Sequence, residues 1–489
     1  MAKTILKTSE KSNFILNMTE EQYSKIASFG LLSACFAVSL FTIIPEAAEG
    51  VSYSVSAAGL AVSGVFCLIL ALIALVKKYV SKSVLLPVIA FAAMLGWGTV
   101  SLIDSYDMNV GFYGFPQRGE GLMALMFYFG IFVTAISIKR EKAMKTLISG
   151  IIGAGLLNSA VAIIQIFFHK LSHYTMISLY FDFAASGLSQ SPIFLAMVLT
   201  LSLIASNVTG VLDENKNRRI FCIISSCIFS FVILHTFSVM GICGIALSLV
   251  SAVAAVFIKK KTSPLRLVPL IAPAAAGALA VVLCMTGVTS ILNKYPIADG
   301  YTLWTGDSFK RISASGNYNP KTVDIQKIDE VYSYINRKTV NIIKEYPLTG
   351  TGPEQLVYPQ VHTTRLPSGD EFANMQEMLA INAGTFDKAY NEYLYTAATR
   401  GIPSLIALLA VIIPVVWIGF KKLKKDGSAE NICLFFITLG GVLVFLIGCS
   451  NITFSPIFWA SAGLLCADVK KDIPKKYQKQ SKLMLTEIT

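Results

Sequence analysis

The sequence predicts an all-α polytopic membrane protein of about twelve transmembrane helices, with a large extracytoplasmic helical loop between the ninth and tenth. Three observations carry this prediction. Of 489 residues, 54% are hydrophobic and only 14% charged, and the mean hydropathy is +0.63. Soluble domains carry roughly a quarter charged residues, so this composition excludes an ordinary soluble enzyme as well as a disordered chain. The apolar residues also come in runs of about 18–24 with almost no charge, enough to cross a ~30 Å hydrocarbon layer at 1.5 Å per residue. Finally, the polar segments between the runs alternate in sign.

The runs centre near residues 35, 65, 93, 128, 157, 201, 228, 248, 279, 411, 439 and 460. The first is expected to start near Ile26, after a polar, lysine-containing segment without the small-residue cleavage pattern of a secretory signal. Lys77, Lys78 and Lys82 follow the second run; Lys139, Arg140 and Lys142 the fourth; Lys216, Arg218 and Arg219 the sixth. Lys259 to Lys261 follow the eighth, Lys421, Lys422, Lys424 and Lys425 the tenth, and Lys470, Lys471, Lys475 and Lys476 the last. The opposite loops hold Glu46, Glu49, Asp104, Asp107 and Asp182. The positive-inside rule then puts both termini in the cytoplasm. The expected organisation is a cytoplasmic segment over 1–25, spans over 26–292, an extracytoplasmic cap over 293–401, spans over 402–468 and a basic cytoplasmic tail over 469–489.

The nine cysteines all fall in apolar runs, which argues for small buried side chains rather than a disulfide framework or a metal site. His169 and His173 have i, i+4 spacing but no acidic or cysteine partner beside them, so no metal site is expected there. His235 reads as a hydrogen-bonded interfacial residue, and His362, the only histidine of the long loop, as a candidate base should the site need one. Trp304 and the loop tyrosines suit either sugar stacking or an interfacial aromatic belt. The lysine clusters suit anionic lipid, not nucleic acid.

In the long loop, apolar residues at Ile328, Val331, Ile335, Ile342 and Tyr346 have helical spacing, and Pro347 ends the stretch. Thr349-Gly-Thr-Gly-Pro353 follows, where Gly350 and Gly352 would permit either a plain turn or a turn cradling phosphate. A second helix is expected from Asp387 to Arg400, with Asp387 in its first turn and a bend at Gly401 and Pro403. This places Tyr390, Asn391 and Glu392 where that helix meets the bilayer surface.

Three segments resemble the O-antigen ligase and O-antigen polymerase (Wzy-type) membrane family. Residues 387–409, opening Asp387-Lys-Ala-Tyr-Asn-Glu-Tyr-Leu and running through Arg400-Gly-Ile-Pro into an apolar stretch, resemble its His-Asn-x-x-Leu signature before a Gly and an apolar span. Ile343-Lys-Glu-Tyr-Pro-Leu-Thr-Gly-Thr-Gly-Pro-Glu-Gln-Leu356 resembles the family segment preceding that signature, and Arg118-Gly-Glu-Gly-Leu122 its Arg-x-Glu-Gly. The resemblance implies glycosyl transfer from an undecaprenyl-diphosphate-linked glycan to a glycan, lipid or wall acceptor, on the outer face of the bacterial plasma membrane. It implies no metal, cofactor or nucleic-acid partner. Arg118, Glu120, Arg337, Gly350 and Gly352 would bind the substrate diphosphate, and Tyr390, Asn391 and Glu392 would line the acceptor side. Arg311 would assist at the phosphates.

The chain departs from the family pattern at three places. The family histidine falls on Tyr390, a family arginine on Tyr332 with its tryptophan on Asn336, and a Ser-Arg-Gly reads Ser238-Val-Met-Gly241. A phenol titrating near 10 is a poorer base at pH 7 than an imidazole near 6.5. A non-catalytic glycan-lipid binding member of the family therefore stands beside a divergent glycosyltransferase, and the count of twelve spans leaves a secondary transporter as a third reading.

Overall fold

In the computed structural model, which describes residues 18–43, 55–115, 118–167, 185–189, 191–236, 238–259, 262–285, 326–358 and 387–469, all regular structure is helical. The chain order is α1 (Glu20–Thr42), α2 (Val55–Val76), α3 (Leu85–Ile103), the short α4 (Met108–Tyr113), α5 (Leu122–Ile136), α6 (Glu141–Phe167) and α7 (Pro192–Leu212). Then come α8 (Lys216–Leu234), α9 (Val239–Ile258), α10 (Ile271–Met285), α11 (Gln326–Glu345), α12 (Glu392–Lys425), α13 (Ala429–Val444) and α14 (Ser455–Cys466).

A helix stands at each of the twelve predicted centres, but their lengths differ. Among the described residues, nine are long and apolar enough to cross a membrane: α1 to α3, α6 to α10 and α12. Helices α3 and α10 reach that length together with the 3-10 turns that precede them, over Lys82–Ile103 and Pro264–Leu283, whereas α5 with 15 residues, α13 with 16 and α14 with 12 remain shorter. Twelve residues rise only about 18 Å. Large apolar side chains face outward in rows, among them Val62 and Leu72 on α2, Ile89 on α3, and Ile406, Ile413 and Trp417 on α12. Such surface is expensive in water and natural against lipid tails. The chain is a helical membrane protein.

Helix α7 is the hub. It is buried along its whole span and packs against α6, α8, α9 and α13, as an all-round apolar helix should. Elsewhere in the bundle, Phe91 of α3, Phe132 of α5 and Trp459 of α14 pack together with ring centroids 4.6–5.6 Å apart, Phe132 and Trp459 edge to face and the other two pairs tilted. Through Trp459 this aromatic group reaches the lining of the site described below.

Two predicted boundaries move. The first helix starts at Glu20 rather than near Ile26, because Thr19 and Gln22 form a reciprocal capping box that satisfies its first amides. The helix predicted from Asp387 starts at Glu392, because the Asn391 side chain accepts from the Tyr393 and Leu394 amides and so fixes the N-terminus there. Asp387 is therefore outside the helix. The amphipathic helix of the long loop is present as α11 and packs on the outer part of α12 through Ile335, Ile342, Tyr395 and Ala398.

The predicted bend at Gly401 is a complete break in α12, with φ 78° and ψ 166°. It strands backbone groups that a continuous helix would pair. The Ile402 amide turns away to the Pro347 carbonyl, and Pro403 has no amide to offer Thr399. The turn after α11 supplies the missing donors. Thr351 donates its amide to the Ala398 carbonyl and Gly352 to that of Thr399, each at 2.9 Å. Ser101 of α3 donates a third hydrogen bond to Thr399, and Trp97 Nε1 holds the Leu348 carbonyl at 2.8 Å. A methyl group on Gly401 would collide with the Leu348 carbonyl, and one on Gly350 with the backbone of Thr399 and Arg400.

Gly401→Ala should therefore cost about 2 kcal/mol or more, from the left-handed backbone and the collision together. The expected result is a clearly lowered thermal midpoint in detergent. Gly96→Ala, on a helix face with open space around it, should leave the midpoint unchanged or raise it slightly, since alanine is the better helix former.

Candidate functional site

The turn that splices α12 also brings a carboxylate with it. Glu354 has a left-handed backbone (φ 60°), and its side chain is buried. Its Oε1 receives Lys388 Nζ at 2.6 Å and the Tyr395 hydroxyl at 2.5 Å. Lys388 is 1% exposed and also lies 3.3 Å from Glu120 Oε2 and 3.4 Å from the Tyr395 hydroxyl. Burial alone would discharge a lysine. Here Glu354, Tyr395 and Glu120 outweigh it and hold the ammonium well above its ordinary value.

Glu120 lies just before α5, on the segment that enters that helix. Its Oε1 accepts from the Tyr128 hydroxyl and from Ser450 Oγ, the latter at 3.0 Å. The Ser450 amide donates to Glu392 Oε2 at 2.8 Å, so one serine joins the two carboxyl groups. Glu392 in turn accepts from Arg400 Nη2 at 3.3 Å and from Thr396 Oγ1 at 3.1 Å. Next to Lys388, Asp387 Oδ2 accepts from both Nε and Nη2 of Arg118, at 2.7 and 2.6 Å. The Arg118 guanidinium also lies over the Phe194 ring of α7, 5.2 Å from its centre.

Part of this network, Glu120, Glu354, Glu392, Tyr395, Arg400 and Ser450, forms the polar walls of a small pocket, whose lining does not include Arg118, Asp387 or Lys388. Met94, Leu125 and Trp459 form apolar parts of its lining. The cluster holds four carboxyls (Glu120, Glu354, Asp387, Glu392) against three cations (Arg118, Lys388, Arg400). One carboxyl is thus in excess, in surroundings that disfavour charge. That group is Glu120: burial pushes it up to about 7, against the pull of Lys388 and with the push of Glu354. Asp387 goes the other way, because Arg118 and Lys388 overcome its burial and hold it below the usual carboxylate range.

No protein-family model matches the chain, and no curated protein matches it in sequence.

The structure brings together Arg118, Glu120 and Glu392 of the sequence-predicted residues. Asn391 adjoins them, but its side chain is occupied with the α12 N-terminus and with the Leu446 carbonyl at 3.1 Å. Tyr390 has a left-handed backbone (φ 49°) and packs against the small apolar cluster under α11, away from the cavity lining. Arg337 is exposed on α11 and does not line the cavity. At Gly350 and Gly352 the phosphate-cradle alternative gives way to the turn. The Gly350 amide bonds the Tyr346 carbonyl, and those of Thr351 and Gly352 cap the broken α12.

His235 is buried at the end of α8, with Nδ1 2.9 Å from the Phe231 carbonyl. His169, His173, His362, Trp304 and Arg311 lie outside the described residues. Among the described residues no group of three potential metal ligands comes together.

Lys388, Glu354, Tyr395, Tyr128, Arg400 and Ser450 were not expected at the site. The available signal was local: a lysine, two glutamates and an arginine flanking apolar runs within 354–400, where charge must find a partner or stay at the surface.

Removing the lysine leaves Glu354 and Glu120 facing each other without their shared cation. Lys388→Met should cost about 3–5 kcal/mol, the range for breaking a buried pair. Adding Glu354→Gln should recover part of that loss, as read by thermal unfolding of the two variants side by side.

Proposed function

We propose that the protein is a membrane glycosyltransferase of the O-antigen ligase/polymerase type. It moves a glycan from an undecaprenyl-diphosphate carrier to an acceptor on the outer face of the bacterial plasma membrane. In this reading the chain crosses or enters the membrane with twelve helices, both termini are cytoplasmic, and 293–401 lies outside as the cap. One observation carries the proposal. The three segments that resemble the family, at 118–122, 343–356 and 387–409, lie far apart in sequence yet meet around one cavity, through Glu120, Glu354 and the Lys388 to Arg400 stretch.

The chemistry agrees with that placement. Transfer from a diphosphate carrier builds negative charge on the leaving phosphate, and a guanidinium fork stabilises such charge well. Arg118 already presents its Nε and Nη2 edge to a carboxylate, Asp387, at the rim of the cluster. A donor phosphate would have to displace that carboxylate from the guanidinium. The acceptor hydroxyl would enter between Glu120 and Glu392.

Two outcomes test this reading. Purified protein in vesicles, given an undecaprenyl-diphosphate-linked glycan, should form transferred or polymerised product, and Arg118→Ala should lower its formation about 100-fold or more while the protein stays in the membrane. Glycan-lipid binding with no turnover in the unmodified protein would instead favour the non-catalytic member. For the topology, a cysteine introduced at Ser368 should react with a membrane-impermeant thiol reagent in intact cells, and one at Lys425 should not. The reverse pattern would cut the site off from its donor.

A further inference from the structure

On that reading, the expected base is missing: the position of the family histidine is Tyr390, and Tyr390 is packed into a small apolar cluster rather than facing the cavity. A different group meets the geometric requirements. Glu120 lines the cavity, its carboxyl is 4% exposed, and each of its oxygens has a fixed partner on a different element. Oε1 is held by Tyr128 of α5 and by Ser450 from the segment after α13, and Oε2 by Lys388.

We propose that Glu120 is the residue that accepts the proton of the acceptor hydroxyl, and that Lys388 is the positioning residue that aims it. The step balances without a metal or a redox partner. The hydroxyl oxygen of an acceptor sugar forms a bond to the anomeric carbon of the donor. The bond from that carbon to the diphosphate oxygen breaks, and its electron pair leaves with the phosphate. The hydroxyl proton passes to the Glu120 carboxylate, which later releases it to water.

The groups around Glu120 suit this role. Lys388 lies beside it from the segment before α12, Glu354 from the turn after α11, and Glu392, Tyr395 and Arg400 from α12. Tyr128 comes from α5, Cys449 and Ser450 from the segment after α13, and Ser455 from α14. Burial holds the carboxyl at about 7, near the pH at which a general base combines an available lone pair with useful basicity. Lys388 cannot itself take the proton, because Glu354 and Tyr395 keep it charged. It is clamped at 2.6 Å by Glu354, whose left-handed backbone marks a position held by its surroundings.

The test compares the full-length protein with Glu120→Gln and Glu120→Asp in vesicles with a lipid-linked glycan donor. Glu120→Gln should keep donor binding and lose turnover by roughly 100-fold or more, the usual contribution of a general base. Glu120→Asp should restore part of it. Turnover of the unmodified protein should fall as pH drops below about 7, where Glu120 becomes protonated. In Lys388→Met/Glu354→Gln that limb should move to higher pH, because the pull of Lys388 on Glu120 exceeds the push of Glu354. A purely structural role for Lys388 would leave the limb in place.

An infrared titration gives a readout independent of transfer: a carboxyl band that titrates near neutral pH in the unmodified protein should vanish in Glu120→Gln. If the band persists, or if Glu120→Gln turns over within about threefold of the unmodified protein, the role of Glu120 is overturned while the glycosyltransferase reading stands. If the unmodified protein transfers no glycan and Arg118→Ala is indistinguishable from it, that reading fails and the role of Glu120 with it.

Discussion

The structure around the site depends on two stranded carbonyls. Gly401 breaks α12 and Pro403 lacks an amide, so Ala398 and Thr399 lose their helical partners in the interior of a membrane protein. Left without partners in a buried setting, each of these groups would cost several kcal/mol. The turn at 349–352 meets this demand with the Thr351 and Gly352 amides. Because the turn must dock in one place, Glu354, two residues beyond it, arrives beside Lys388 in one place too.

From that contact the remaining charges fall into order. Lys388 is too deeply buried to remain charged alone, and Glu354, Tyr395 and Glu120 surround it. Glu120 is tied through Ser450 to Glu392, and Glu392 to Arg400, so ion pairs on α12 and on the segment before α5 become one network. Such a network contributes little net stability compared with a well-packed apolar core. Its effect is positional: it fixes carboxyl and cationic groups at the wall of a pocket whose lining also includes Trp459.

The excess of one carboxyl follows from the same arrangement. Arg118 neutralises Asp387, Arg400 neutralises Glu392, and Lys388 stands between Glu354 and Glu120. Glu354 has the shorter contact and the additional Tyr395 hydroxyl, so Glu120 is the one left to hold a proton near neutral pH. A carboxyl tuned in this way by its neighbours, inside a cavity, is a common mark of a working site.

Much of this was legible in the residues themselves. Hydrophobic run length placed a helix at every one of the twelve centres, and the spacing of Ile328, Ile335 and Ile342 gave α11, because burial of apolar side chains follows local periodicity. The short motifs drew attention to Arg118, Glu120 and Glu392, which the structure does gather. Run length could not show that α5, α13 and α14 are too short to match their neighbours, since helix ends are set by caps and contacts. Nor could it show that Asn391 is a cap, that Tyr390 packs elsewhere, or that Lys388 lies between Glu354 and Glu120. The place of Lys388 is fixed by pairings with residues 34 and 268 positions away in the chain, and only the folded arrangement decides which distant partner a buried charge will meet.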